Sequence, residues 1–102
     1  MPRAADAYAV SEKLEWLLSE EGHGREWERV LHIGPNDTEP FWKAIRRAVI
    51  GAQIVRVTER HGVTCGANIT LQIGQRRAKT MTSWHYRHAR DMPRLVTAYP
   101  RS

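Results

Sequence analysis

Arg77-Ala78-Lys79-Thr80-Met81-Thr82-Ser83-Trp84-His85-Tyr86 is the stretch that decides the fold class. Its period is two: Ala78, Thr80, Thr82, Trp84 and Tyr86 share one side of an extended chain, and Lys79, Met81, Ser83 and His85 share the other. Neither side is wholly apolar, yet the run is rich in the β-branched and aromatic residues that suit a pleated surface. Upstream, Ile69, Leu71 and Ile73 alternate with Asn68, Thr70 and Gln72, and Gly74-Gln75 supplies a tight link between the two runs. Further out, Ile54 to Thr58 is short and β-branched, with His61-Gly62 as its turn. A loop with Arg90, Asp91 and Pro93 leads to a last extended run, Arg94 to Tyr99, closed by Pro100. Four sequential strands with short links predict an antiparallel meander.

The first half of the chain changes period. Val10, Leu14, Leu17 and Leu18 recur at helical spacing after a cap at Ser11, and Gly22 stops them. Beyond the Gly22-His23-Gly24 hinge, Trp27, Val30 and Leu31 line a second short helix that ends at Gly34-Pro35-Asn36. Asp37 or Thr38, followed by Glu39 and Pro40, is a helix start, and Phe41, Ile45, Ala48 and Val49 form an apolar stripe up to Gly51. The expected fold is therefore α+β, with two to three N-terminal helices packed on one face of a four-stranded antiparallel sheet. Residues 1–102 read as one domain, with 1–8 and 101–102 expected to fray.

At 102 residues one core suffices, and 41% hydrophobic content is ordinary for a globular chain. No apolar run approaches the roughly 20 residues of a membrane span, and Met1 to Ala9 lacks an apolar leader, so a soluble cytoplasmic protein with no membrane partner is expected. A single cysteine, Cys65, excludes an internal disulfide and a cysteine-built zinc site, and reads as a small strand residue. No cofactor or metal motif is present. The net charge of +5 is unevenly spread: residues 1–51 hold 7 Lys/Arg against 9 Asp/Glu, and residues 52–102 hold 9 against 2. A polyanion such as RNA is the partner that this basic half suggests, and a merely solubilising surface is the plainer reading.

Arg76, Arg77, Lys79, Thr80, Thr82, Ser83, His85, Arg94, Thr97 and Tyr99 are concentrated within a few strands. Such a set suits phosphodiester chemistry: cations stabilise charge developing on phosphorus, hydroxyls orient it, and a histidine moves protons. Because a 2′-hydroxyl of RNA serves as an internal nucleophile, no metal is required. His85 or His23 would be the acid or base, and Arg77 and Arg94 would hold the phosphate. Individually each has a structural reading: Thr80, Thr82 and Thr97 are good strand formers, and Tyr99 suits a chain-end surface. His85 and His88 do not converge on a metal from a strand-to-loop segment. Trp16, Trp27 and Trp42 fall on helical patterns and suit core or interface, though exposed tryptophans also stack on bases.

The closing stretch Pro93-Arg94-Leu95-Val96-Thr97-Ala98-Tyr99-Pro100, with Thr82-Ser83-Trp84 and Arg77 before it, resembles the end of a family of small bacterial and phage-associated domains. Lys13-Leu14 and Gly24-Arg25 stand at places comparable to that family's helical Lys-Leu pair and Gly-basic hinge. The ending is also similar to those of toxin domains in the broad group of barnase, EndoU, colicin and RelE-like ribonucleases. That likeness implies a helical N-terminus on a four-stranded antiparallel sheet and metal-independent RNA cleavage by 2′-hydroxyl attack. It further implies Arg77, Thr82, Arg94, Thr97 and Tyr99 at or near the site, and an antitoxin or immunity protein is a possible partner; Lys13 and Arg25 at the family's places, with Thr82 and with Lys79 of the basic sheet, are the expected substrate contacts. The rival expectations are a non-catalytic nucleic-acid or protein-binding module of the same fold, and an interaction protein whose tryptophans mark an interface.

Overall fold

A computed structural model describes residues 1–101. Three helices, α1 (Ser11–Leu18), α2 (Gly24–Leu31) and α3 (Thr38–Val49), precede four strands, β1 (Ile54–Glu59), β2 (Val63–Ile73), β3 (Arg76–Tyr86) and β4 (Arg94–Pro100). The strands pair antiparallel in the order β1-β2-β3-β4, so the fold is α+β with a meander sheet. No described helix is long and apolar enough to cross a membrane.

The two periods of the sequence meet in one core. Leu14, Leu17 and Leu18 of α1, Trp27 and Leu31 of α2, and Phe41, Ala44, Ile45 and Val49 of α3 are buried. Against them lie Cys65, Ala67, Ile69 and Leu71 of β2, Ala78, Thr80, Thr82, Trp84 and Tyr86 of β3, and Leu95 and Ala98 of β4. Each large apolar side chain removed from water here stabilises the fold by about 1.5–3 kcal/mol before the entropy of ordering it is counted. Register ties the covered positions together: Cys65 faces Trp84, Ala67 faces Thr82, Thr82 faces Ala98 and Trp84 faces Leu95. The intervening residues of β3, Lys79, Met81, Ser83 and His85, therefore lie on the other face, which no helix covers.

Helix starts differ in detail from expectation. Ser11 is the first helical residue rather than the cap, which is Val10 with no side-chain bond. Asp37 occupies the cap of α3, but its carboxylate accepts from the Gly34 N–H at 2.8 Å and fixes the preceding turn instead. The start of the chain is packed, not frayed. The Tyr86 hydroxyl donates to the Pro2 carbonyl at 2.7 Å, and Tyr8 bridges in parallel to Arg94 at the β4 edge. The fraying expected of Ser102 lies outside the described residues.

Candidate active site

Two features of the open sheet face and its β4 edge bear on chemistry. The first is the absence of carboxylates at the strand positions of that face. Residues 52–102 hold only Glu59 and Asp91. Glu59 pairs with Val63 and lines a small apolar pocket with Cys65 and Tyr86, on the helix side of the sheet. Asp91 sits in the β3–β4 loop, held by Arg87 at 3.0 Å, and that guanidinium, with the Met92 N–H, keeps its carboxyl below the usual range. Apart from the apolar Met81 and Val55, what remains on the open face is cationic, hydroxylic or amide.

The second feature is the hinge between α1 and α2. Gly22 and Gly24 bring it so close to the end of α1 that a Cβ on Gly22 would stand 2.1 Å from the Trp16 carbonyl oxygen, and one on Gly24 2.6 Å from those of Leu18 and Ser19. The hinge amides are taken up by the same helix end: Gly22 N–H by Ser19 O at 3.1 Å, His23 N–H by Leu17 O at 3.0 Å and Gly24 N–H by Ser19 O at 2.9 Å. A satisfied, glycine-tight hinge holds the backbone of the residue between the glycines in place. That residue, His23, has its ring 5.6 Å from the Tyr99 ring on β4 and 6.4 Å, edge-on, from Trp16. Its Nδ1 lies 3.3 Å from Glu26 Oε1. An ionised carboxylate only accepts, so in the neutral ring this contact favours the tautomer with its proton on Nδ1 and its lone pair on Nε2. Lys13 Nζ lies 5.3 Å over the Trp16 ring, adding a cation to the same corner.

Of the residues singled out from sequence, the structure brings His23, Tyr99 and Lys13 to this corner. Tyr99 is opposite Met81, and Lys79 is its diagonal neighbour, roughly 7–8 Å away by strand geometry. Thr97 is next along β4, opposite Ser83. His85 and Arg94 face each other further on, past a bulge, with Thr64 Oγ1 3.4 Å from His85 Nδ1. Met81 and His85 are four positions apart on β3, roughly 13 Å, so His85 and His23 do not serve one reacting atom. Arg77, opposite Gln72, is eight residues from His85, roughly 27 Å, and belongs to the far end of the sheet. Arg25 points elsewhere too, lining a cavity of about 310 Å³ with Leu18, Glu28 and Ile33.

Thr82 departs from its expected role as a substrate contact. It is fully buried on the helix side, donates to Ala67 O and accepts from Trp84 Nε1, each at 2.8 Å, and has no free hydroxyl to offer. Cys65 is buried opposite Trp84, and burial pushes its thiol above the usual range, which suits packing and not nucleophilic use. One member of the corner was missed in the sequence: Glu26, signalled by its i,i+3 spacing from His23 at the start of α2. Trp16, read as core, interface or base-stacking, is 43% exposed. Comparison of the chain with family models, with curated proteins and with solved structures gives no match.

Proposed function

We propose that the protein is a small metal-independent ribonuclease of toxin or effector type, cleaving RNA at the β4 edge. The observation that carries this reading is the His23–Glu26 pair, held on a glycine-tight hinge beside Tyr99 at the margin of a carboxylate-free basic face. In the proposed reaction His23 Nε2 takes the proton from a ribose 2′-hydroxyl. The O2′–P bond forms and the P–O5′ bond breaks, leaving a 2′,3′-cyclic phosphate. The departing 5′-oxygen takes its proton from the Tyr99 hydroxyl, which water then reprotonates. Glu26 keeps the His23 tautomer correct and stabilises the imidazolium, as a positioning residue. Lys79 and Lys13 supply positive charge near the reacting phosphate, while Arg94 and His85 suit a neighbouring one along the strand. The cytoplasm, where RNA is plentiful, is the proposed place of action, and an antitoxin or immunity protein would restrain it there.

The test is incubation of total RNA in EDTA with the purified chain, with His23→Gln and with Glu26→Gln. The expected result is cleavage by the parent, a loss of about 10²–10⁴-fold in His23→Gln and a smaller loss in Glu26→Gln. Intact RNA with the parent at every salt concentration ends the proposal. A second reading is favoured by the spread of cations from Arg77 to Arg94 along the whole open face: a non-catalytic nucleic-acid-binding module. Its mark would be binding that falls steeply with salt and leaves the RNA whole.

A further inference from the structure

A second feature stands at the opposite edge of the sheet. β2 runs to Ile73, but β1 pairs with it only as far as Ala67, opposite Ile54. Residues 68–73 thus have β3 on one side and no strand on the other, over roughly 20 Å. The direction of their main-chain groups follows from one bond. Lys79 O accepts from Arg101 N–H on the β4 side, so Lys79 turns its polar groups away from its β2 partner Thr70. Thr70 in such a pair turns its own N–H and C=O outward, and by alternation Asn68 and Gln72 do the same. Among the described residues no loop, cap or side-chain hydrogen bond takes these groups up.

This edge is also grooved. Ala44, Arg47 and Ala48 of α3 form one wall of a cavity of about 280 Å³ whose other wall is Thr70, Gln72 and Gly74. A second cavity of about 200 Å³ continues it past Lys43 to Ile73, sharing Ala44, Arg47, Gln72 and Gly74. A third, of about 260 Å³, opens on the sheet side between Asn68, Thr70, Lys79 and Arg101. Small alanines on α3 leave room beside the strand, and Arg47 and Lys79 flank it from its two sides. Glu39 is the acid close to this groove, and it is tied to Lys43 at 3.0 Å.

We infer that the β2 edge is a docking site for an extended, acidic segment of a partner protein, which adds to the sheet as a fifth strand. An edge offering N–H and C=O alternately is satisfied by another peptide strand, which returns both kinds of group. A phosphodiester chain accepts but does not donate at its phosphates, so phosphate contacts would meet the N–H groups of this edge and not its carbonyls. A second copy of this chain would bring Arg47 and Lys79 of both copies together, which like-charge repulsion opposes. An acidic strand meets both requirements. The inference goes beyond ribonuclease activity and does not depend on it, because Lys79 is the one residue the groove shares with the His23 corner, and Arg47, Asn68, Thr70 and Gln72 stand apart from it.

The probe is a fluorescein-labelled peptide of about ten residues alternating threonine with glutamate, titrated with the intact protein and followed by polarisation. Saturable binding tighter than about 1 mM is expected, with slowed amide hydrogen exchange at Asn68, Thr70 and Gln72. Arg47→Glu, a change at an exposed position, should weaken it at least about tenfold. Alternate backbone N-methylation of the peptide keeps every charge but blocks strand addition, and should abolish binding. Equal binding of the N-methylated peptide, or of a lysine-for-glutamate peptide, would overturn the inference. So would no binding, an RNA oligonucleotide giving the same exchange protection, or self-association of the chain through this edge.

Discussion

At the scale of single residues, Thr82 shows how one oxygen settles a structural role. Its hydroxyl donates to Ala67 O and accepts the indole N–H of Trp84, which is fully buried. Thr82→Val keeps the shape and removes the acceptor, leaving the Trp84 N–H with no partner in the core. The expected cost is about 1–3 kcal/mol, read as a lower urea midpoint with unchanged slope. Cleavage or binding of RNA per folded molecule should stay as in the parent. Loss of RNA function with stability retained would return Thr82 to the site. Trp27 Nε1 is already buried without a partner, so the variant would hold two such donors. The sequence could not separate these roles, because threonine is both a good strand former and a hydroxyl donor. The alternation of β3 assigns Thr82 to a face without saying which face the helices cover.

Elements are held by their ends as much as by their stripes, and the α1–α2 hinge is the sharpest case. Gly22→Ala places a methyl 2.1 Å from a backbone oxygen that cannot swing aside, so either the hinge or the last turn of α1 must move. A loss of about 1–3 kcal/mol is expected, together with a shift of the His23 ring away from Tyr99. Thermal melting and RNA cleavage should fall together in Gly22→Ala, whereas His23→Gln should lose cleavage alone. A Gly22→Ala protein with parental melting would show that the hinge yields freely and does not position His23. Legibility varied by element for physical reasons. The stripe of α3 and the alternation of β3 are written in residue type, and both stand where the pattern put them. The first half of β2, Cys65-Gly66-Ala67, carries no alternation of polar and apolar residues. It is a strand because β1 and β3 pair with it on either side. His23 was visible as a hinge histidine, but its approach to Tyr99, 76 positions away in sequence, is a product of packing.

On the scale of the whole molecule, the start of the chain acts as a clasp. Tyr8 pairs with the β4 edge, and Pro2 receives the Tyr86 hydroxyl, so two points far apart in sequence are joined across the sheet. Nothing in Met1 to Ala9 marks this, since it has neither helical nor strand period and the two contacts that close the clasp, Pro2 with Tyr86 and Tyr8 with Arg94, each span more than eighty positions. The clasp has an alkaline limit. Burial, with a smaller contribution from Cys65, pushes the Tyr86 phenol up to about 12 from its ordinary value of 10.0. Below pH 10 the phenol is protonated whether the chain is folded or not, and its contribution is fully present. Between pH 10 and about 12 the unfolded chain releases this proton while the folded one keeps it, so the unfolded state binds fewer protons and stability falls as pH rises. Urea midpoints measured across this range should therefore drop more steeply in the parent than in Tyr86→Phe, whose ring has no proton to lose. Tyrosinate absorbance of the folded parent should show a late step that Tyr86→Phe lacks. Parallel decline of the two proteins would mean that the Tyr86–Pro2 contact opens before the fold does, and that the clasp is no part of its alkaline stability.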